Sequence, residues 1–324
     1  MSNDMKVKAA SPWFGGKRTL APTIVKFAGK HTQWFEPFVA SAAVPFAKEP
    51  SQKETVGDLH GDMINLLWCV ADPAEAPRLY ERLQRAPFSE ELLKEAVGRL
   101  DEVERWAPDE YFDTPTDLSI DRAYWFMIAS WMGRNGTAGT IRRDYQLAVR
   151  WTANGGSPTV RWRNAVDSMP AWHRRLLNMV ILRRCAFTWI DRVEDVAGSV
   201  IYADPPYFID GKTRTGCSSS GDNGRYVHDF SSASSSSPDL FGHSEPKNEH
   251  ERLAEILSSY KNARVIVSYY DCDPIRKLYD GWNFHDFTMN KCLHMQAGRS
   301  RKKKKLDTIK KAPEVLITNF EVME

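Results

Sequence analysis

The stretch "SVIYADPPYF", residues 199–208, decides the fold, because an apolar run typical of a buried strand ends on Asp204 and is followed by two prolines and a tyrosine. Each proline fixes its own φ and restricts the residue before it, so Asp204-Pro205-Pro206-Tyr207 is predicted to form a rigid, extended hook. The Asp204 carboxylate and nearby backbone oxygens accept hydrogen bonds, and Tyr207 adds a flat face. The hook therefore suits a planar ligand that carries an amino group; the alternative is a tight turn with a purely structural role.

Segments of strand-like and helix-like sequence alternate along the chain around this hook. The strand-like runs are 32–39, 54–58, 185–191, 199–204 and 263–270. Segments with helical periodicity occur between or after several of these runs, at 17–29, 62–84 and 247–260. This alternation predicts an α/β fold with a doubly wound, Rossmann-like sheet that binds ligands at the carboxyl ends of its strands. Two further runs, 282–290 and 313–320, have no helix between them and predict an antiparallel edge, for a mixed sheet of about seven strands.

The segment between runs 54–58 and 185–191 is far too long for one crossover connection. It contains helical patterns at 89–105 and 120–132. It also contains a cluster of tryptophans, at positions 106, 125, 131, 151, 162 and 172. We therefore predict an inserted, mainly helical domain at 75–185, within a core domain made of 1–74 and 186–324. A tryptophan cluster of this kind is more typical of a hydrophobic core than of a base-stacking surface.

Composition is that of an ordinary soluble globular protein, with 42% hydrophobic and 27% charged residues. No apolar run approaches the ~18 residues of a membrane helix, and the first residues do not resemble a signal peptide. The five scattered cysteines form no CxxC pair, which favours a reducing compartment. Motifs of the GxGxxG, P-loop and HExxH types do not occur. We predict no metal site, and we expect the isolated His173, His243, His250 and His294 at the surface.

Two segments carry a strong compositional bias. Residues 298–311 contain eight Lys/Arg residues and one Asp, although the net charge of the chain is only +2. Such a run is typical either of a solvated loop or of a segment that contacts phosphates, and both interpretations stay open. Residues 217–238 contain nine serines and follow the hook, which predicts a mobile loop at the carboxyl end of a strand, where lids occur.

Four stretches, in this order, together resemble the DNA adenine-N6 methyltransferases of the Dam type and their bacteriophage relatives. They are "PWFGGKR" (12–18), "WFEPFVASAAVPFAK" (34–48), "ETVGDLHGDMINL" (54–66) and "IYADPPY" (201–207). The resemblance implies a Rossmann-like core, S-adenosylmethionine as cofactor, double-stranded DNA as partner and a target-recognition domain in the insertion. It further implies a monomer or weak dimer in the bacterial cytoplasm, encoded by the cell, a phage or a prophage.

The resemblance also implies roles for single residues. Catalysis would belong to the hook residues Asp204, Pro205, Pro206 and Tyr207. The cofactor would contact Trp13, Lys17, Phe38, Asp58, Asp191 and Asp204. Among these, Lys17 would pair with the methionine carboxylate, Asp58 would accept the ribose hydroxyls, and Asp191 would accept the adenine amino group. DNA would contact Arg134, Asn135, Arg299, Arg301, Lys302, Lys303, Lys304 and Lys305.

The implied chemistry is methylation of an adenine that has been flipped out of the duplex, with its amino group held by Asp204 and a backbone oxygen and its ring stacked on Tyr207. Related hooks serve cytosine N4 (more often SPPY) and protein glutamine (more often NPPY), and both Asp204 and the insertion disfavour these alternatives. Ala40 and Ala42 replace glycines of the family, which are needed either for a positive φ or only for closeness to the ligand. Their loss favours a further alternative, a catalytically silent DNA-binding relative, whereas the intact hook and Lys17 disfavour it.

Overall fold

A computed structural model of the chain describes residues 5–102, 118–133, 138, 146–149, 156–208, 230, 248–290 and 311–322. The strands in these ranges are β1 (Gln33–Glu36), β2 (Lys53–Asp58), β3 (Val180–Arg183), β4 (Ser199–Ala203), β5 (Arg264–Tyr270), β6 (Asn283–Asn290) and β7 (Lys311–Thr318). The helices are α1 (Ala21–Ala28), α2 (Gly61–Ala71), α3 (Glu75–Arg85), α4 (Glu90–Glu102), α5 (Ile120–Met132), α6 (Pro158–Leu176), α7 (Glu249–Ser258) and α8 (Asp273–Leu278). None of these helices is both long and apolar enough to cross a membrane.

The strands form a single mixed sheet in the order β3-β2-β1-β4-β5-β7-β6. The first five strands in this order are parallel, whereas β7 runs antiparallel to both β5 and β6. Parallel strands need a crossover, and α7 supplies one between β4 and β5. The predicted α/β fold with a Rossmann-like sheet and an antiparallel edge is confirmed.

Strand β4, which leads into the hook, is buried along its whole length in the middle of the sheet. Because successive side chains of a strand point to opposite faces, Val200 and Tyr202 pack with α1 while Ile201 and Ala203 pack with α7. A central strand that is covered on both faces reads as a continuous apolar run. This burial fixes the point at which the chain emerges as Asp204.

The helices of the predicted insertion share one hydrophobic core with α2 and β2. Trp131, Trp162 and Trp172 are fully buried in it, as expected of core tryptophans. Strand β3 belongs to the main sheet, so the sheet resumes at Val180, inside the range 75–185 of the predicted insertion. The division of the chain into a core domain and a recognition domain stays a prediction.

The strand predicted at 185–191 is wrong. The third strand ends at Arg183, and the apolar run after it forms two short 3-10 turns, Ala186–Thr188 and Ile190–Arg192. Phe187 and Ile190 are nevertheless buried, in the core beneath α7. A short apolar run indicates burial, and its periodicity alone does not distinguish a strand from buried turns.

The helix predicted at 62–84 is two helices, because Asp72-Pro73 interrupts it. Asp72 accepts hydrogen bonds from the amides of Ala74 and Glu75 at 2.8 Å, at the start of α3. Pro73 has no N–H with which to continue the first helix. The predicted surface location of His250 is also wrong, because this residue lies on the buried face of α7.

Candidate active site

A cleft of about 800 Å³, measured to its open mouth, lies at the carboxyl ends of β1, β2 and β4. Strands β1 and β4 are neighbours, but the chain proceeds from them toward opposite edges of the sheet. Ligands of doubly wound sheets bind at such a reversal of strand order. The cleft is lined by Trp13, Phe14, Pro37, Phe38, Ala40, Asp58, Leu59, His60, Arg184, Cys185, Ala186, Phe187, Asp204, Pro206, Phe230 and Glu249.

The turn after β1 forms one wall of the cleft in a strained conformation. Ala40 has φ 44° and Ala42 has φ 56°, both in the left-handed region that favours glycine. The turn is closed by a 2.8 Å hydrogen bond from the Ala42 amide to the Val39 carbonyl. Ala40 and Ala42 thus adopt a positive φ, which a glycine would adopt without strain.

Asp58, at the end of β2, connects this turn to the start of α2. Its Oδ2 accepts a hydrogen bond from the Ala40 amide, and its Oδ1 accepts one from the His60 amide, both at 2.9 Å. Burial raises the pKa of Asp58, although these amides oppose the change. The helix N-cap itself is His60, whose Nδ1 accepts from the Met63 amide. A carboxylate has about four acceptor positions, so Asp58 keeps capacity for ligand hydroxyls.

Aromatic rings form the apolar walls of the cleft. Phe230 lies between Phe38 and Phe187, with ring centroids 5.8 Å and 5.6 Å away. Trp13 lies on the other side and meets the ring of His60 edge-on at 5.1 Å. Phe230 belongs to the serine-rich segment, whose other residues lie outside the described ranges. Flat walls of this kind suit a planar heterocycle.

The hook is tied to the N-terminal segment by an ion pair. Lys17 Nζ lies 2.9 Å from Asp204 Oδ1 and 3.2 Å from Glu314 Oε1, and it donates to the Gly15 carbonyl at 2.8 Å. The Lys17 side chain is only 6% exposed, and its ammonium lies 4.9 Å from the centroid of the Tyr207 ring. Lys17 therefore joins the residues of the hook instead of projecting into the cleft.

The charges around the hook are unbalanced. Burial and the nearby Glu314 raise the pKa of Asp204 to about 6, against the opposing effect of Lys17. Burial would lower the pKa of Lys17, but Asp204 and Glu314 outweigh it and raise this pKa overall. The single buried ammonium of Lys17 thus pairs with two carboxylates, those of Asp204 and Glu314. Among the residues that the structure describes, no group of three or more His, Cys, Asp and Glu could hold a metal ion.

The structure brings most of the predicted site residues together. Trp13, Phe38, Asp58, Asp204 and Pro206 all line the cleft. Asp191 does not: it is exposed on the second 3-10 turn, because β3 ends earlier than predicted and residues 184–187 reach the cleft instead. The predicted DNA contacts lie outside the described residues; they are Arg134, Asn135, Arg299, Arg301, Lys302, Lys303, Lys304 and Lys305.

Several residues of the site are missing from the set predicted by sequence. Phe187 falls in the wrongly predicted strand. His250, predicted at the surface, is buried, with Nδ1 2.9 Å from the Tyr269 hydroxyl and with burial lowering its pKa to about 4. Glu314 is absent from the predicted set, although a signal for it exists in the sequence. An antiparallel strand brings its amino end to the edge where parallel strands end, and Glu314 lies near the start of β7.

Part of the chain matches a known protein family. Residues 13–117 match the family described as D12 class N6 adenine-specific DNA methyltransferase. This range contains Lys17, Phe38 and Asp58 but ends before the hook. A comparison with curated proteins found no match. This match over part of the chain, on a mixed seven-stranded sheet of this kind, makes the chain similar to the adenine-specific DNA methyltransferases of this class.

Proposed function

We propose that this protein transfers a methyl group from S-adenosylmethionine to the N6 amino group of a flipped adenine at a specific site in DNA. The observation that carries the proposal is the location of Asp204: it ends the central strand at the reversal of strand order, beside a cleft with aromatic walls and a second acid, Asp58. Catalysis is assigned to the hook, Asp204–Tyr207.

The residues of the cleft fit this cofactor. Asp58 accepts the ribose hydroxyls with its remaining lone pairs, and Phe38 and Trp13 contact the apolar parts of the molecule. Lys17 would pair with the methionine carboxylate of the cofactor in addition to Asp204 and Glu314, which its ammonium contacts in this structure. When bound, S-adenosylmethionine supplies a methyl group activated by a sulfonium.

The hook acts on the amino group of the base. Its nitrogen is a poor nucleophile because the lone pair is conjugated with the ring, and hydrogen bonds to Asp204 and a backbone oxygen favour the tetrahedral nitrogen that reacts. The nitrogen–carbon bond forms as the carbon–sulfur bond breaks, and the nitrogen then releases a proton. Alignment of the reacting atoms supplies several kcal/mol. The base has to leave the duplex to reach Asp204, and Tyr207 then stacks on it.

DNA binding is proposed to use Arg134, Asn135 and the basic run 299–305, with the phosphates as the main partners of the lysines. The protein would act as a monomer or weak dimer. One observation favours a second candidate: the strain at Ala40 and Ala42 would weaken the cofactor site in a catalytically silent DNA-binding relative.

The test is a methylation assay on unmethylated duplex DNA with labelled cofactor, followed by digestion to nucleosides. We expect N6-methyladenine from the natural protein and a loss of about 10² or more in rate for Asp204→Ala. Asp280→Ala, at an exposed aspartate of the same chain, is the matched control and should leave the rate unchanged. N4-methylcytosine as the product would support the cytosine alternative, and DNA binding without any methylated nucleoside would support the silent relative.

A further inference from the structure

Glu314 makes three contacts that meet at a single oxygen atom. Its Oε1 accepts a hydrogen bond from the Tyr207 hydroxyl at 2.6 Å and one from Ser268 Oγ at 3.2 Å, and it lies 3.2 Å from Lys17 Nζ. These partners come from the hook, from β5 and from the N-terminal segment. The Glu314 side chain is 12% exposed, so the contacts are made largely away from water.

The architecture explains why a β7 residue reaches the hook. Glu314 pairs in register with Tyr270, the last residue of β5, at the edge where the parallel strands end. The Tyr270 ring meets Tyr207 edge-on, with centroids 4.5 Å apart. Tyr207 is thus held at its ring by Tyr270 and at its hydroxyl by Glu314. The Tyr207 ring, which is 8% exposed, is therefore restrained to one orientation.

The same carboxylate also shares a cation with Asp204. Lys17 is the ammonium between them, 2.9 Å from Asp204 and 3.2 Å from Glu314. A lysine that binds two carboxylates is restrained from both sides, which restrains Asp204 Oδ1 in turn. Removal of Glu314 would leave the buried Lys17 with Asp204 and the Gly15 carbonyl as partners, and it would release the Tyr207 hydroxyl at the same time.

We propose that Glu314 is a positioning residue for the methyl-transfer reaction: it fixes the Tyr207 ring that stacks on the base and, through Lys17, the Asp204 carboxylate that holds the amino group. This inference rests on the proposed function of the hook. Glu314 touches neither the base nor the methyl group, and it acts through the two residues that do.

The test compares Glu314→Ala, Glu314→Gln, Tyr207→Phe and the Tyr207→Phe/Glu314→Ala double variant in steady-state methylation of duplex DNA. Calorimetry with S-adenosylmethionine and thermal unfolding accompany each assay. Glutamine keeps an oxygen that can accept from Tyr207 and Ser268, so it separates the hydrogen bonds from the charge. Glu321→Gln, at an exposed glutamate just beyond β7, is the matched control and should behave as the natural protein.

For Glu314→Ala we expect kcat to fall by about 10–10², while the Kd for the cofactor changes less than about threefold. Glu314→Gln should recover a large part of kcat, and the double variant should be no slower than the slower single variant, because both changes break the same link. A natural protein that makes no N6-methyladenine refutes the proposed function itself. If the natural protein makes it, a folded Glu314→Ala with normal kcat, or multiplying losses in the double variant, overturns this inference alone. Should Glu314→Ala fail to fold, normal kcat in both Glu314→Gln and Tyr207→Phe overturns it equally.

Discussion

The strain at Ala40 and Ala42 leads to a stability prediction with a neighbouring control. Ala42 and Ala43 are adjacent, both buried, at 0% and 5% exposure, and both become smaller by one methyl group when changed to glycine. They differ in backbone conformation, since Ala42 has φ 56° and Ala43 is not among the residues with positive φ. The pair Ala42→Gly and Ala43→Gly therefore isolates the strain.

The magnitudes follow from three contributions. A left-handed conformation costs an alanine about 1–2 kcal/mol, which glycine relieves. Glycine also gives the unfolded chain more conformational entropy, which lowers the free energy of unfolding by about 0.4–1 kcal/mol. Loss of a buried methyl group costs about 0.8 kcal/mol more. Ala42→Gly should thus change the free energy of unfolding little, whereas Ala43→Gly should lower it by about 1–2 kcal/mol. Ala40→Gly, at a half-buried residue, should raise it by about 0.5–1 kcal/mol.

Equilibrium urea unfolding of the three variants and the natural protein checks these values, with circular dichroism and tryptophan fluorescence as probes. The decisive quantity is the difference in free energy of unfolding between Ala42→Gly and Ala43→Gly. The lost methyl group and the entropy of glycine contribute equally to both variants, so this difference reports the strain. If Ala42→Gly is as destabilising as Ala43→Gly, the turn is not strained and the reasoning fails. We also expect the Ala40→Gly/Ala42→Gly variant to bind S-adenosylmethionine with a Kd within tenfold of the natural value, checked by calorimetry.

Four further predictions concern the site and its DNA-binding segment. Protonation of Asp204 weakens it as a hydrogen-bond acceptor, and its pKa is raised to about 6. We therefore expect kcat/KM to fall as the pH falls through about 6; a flat profile down to pH ~5 would contradict this. The same raised pKa means that ionised Asp204 costs folding stability above about pH 6, a cost relieved as the pH falls toward its ordinary value of 3.8. Asp58→Ala should weaken S-adenosylmethionine binding by about 1.5–3 kcal/mol in calorimetry, and unchanged affinity would limit Asp58 to holding the Ala40 turn. Replacing Lys302–Lys305 with alanine should weaken binding to all DNA sequences alike and reduce the log–log salt slope by about 0.9 for each phosphate that the protein no longer neutralises, whereas an unchanged slope would identify a solvated loop.

Burial explains why the sheet was largely predictable. The apolar run before Asp204 is a strand covered on both faces, and the runs at 54–58 and 263–270 lie within one or two residues of β2 and β5. The antiparallel edge was predicted because the sequence between the last two strand-like runs has no helical pattern, and the pairing of β6 with β7 is antiparallel. The prediction of the third strand failed for a physical reason. Residues 185–191 are apolar because they pack beneath α7, and burial alone does not distinguish a strand from a turn.

The sequence by itself determined the local features: a central apolar strand, a stiff hook after it and an acid at the end of β2. Each depends on residues that are close in the chain, through alternation, proline stereochemistry or turn chemistry. Only the tertiary structure decided which distant groups meet there. It placed Lys17 on Asp204, it brought Glu314 to Tyr207 across 107 residues of chain, and it left Asp191 outside the cleft. Such contacts depend on the order and direction of the strands, which local sequence patterns do not specify. The carboxyl ends of parallel strands and the amino end of an antiparallel strand meet only when the sheet has formed.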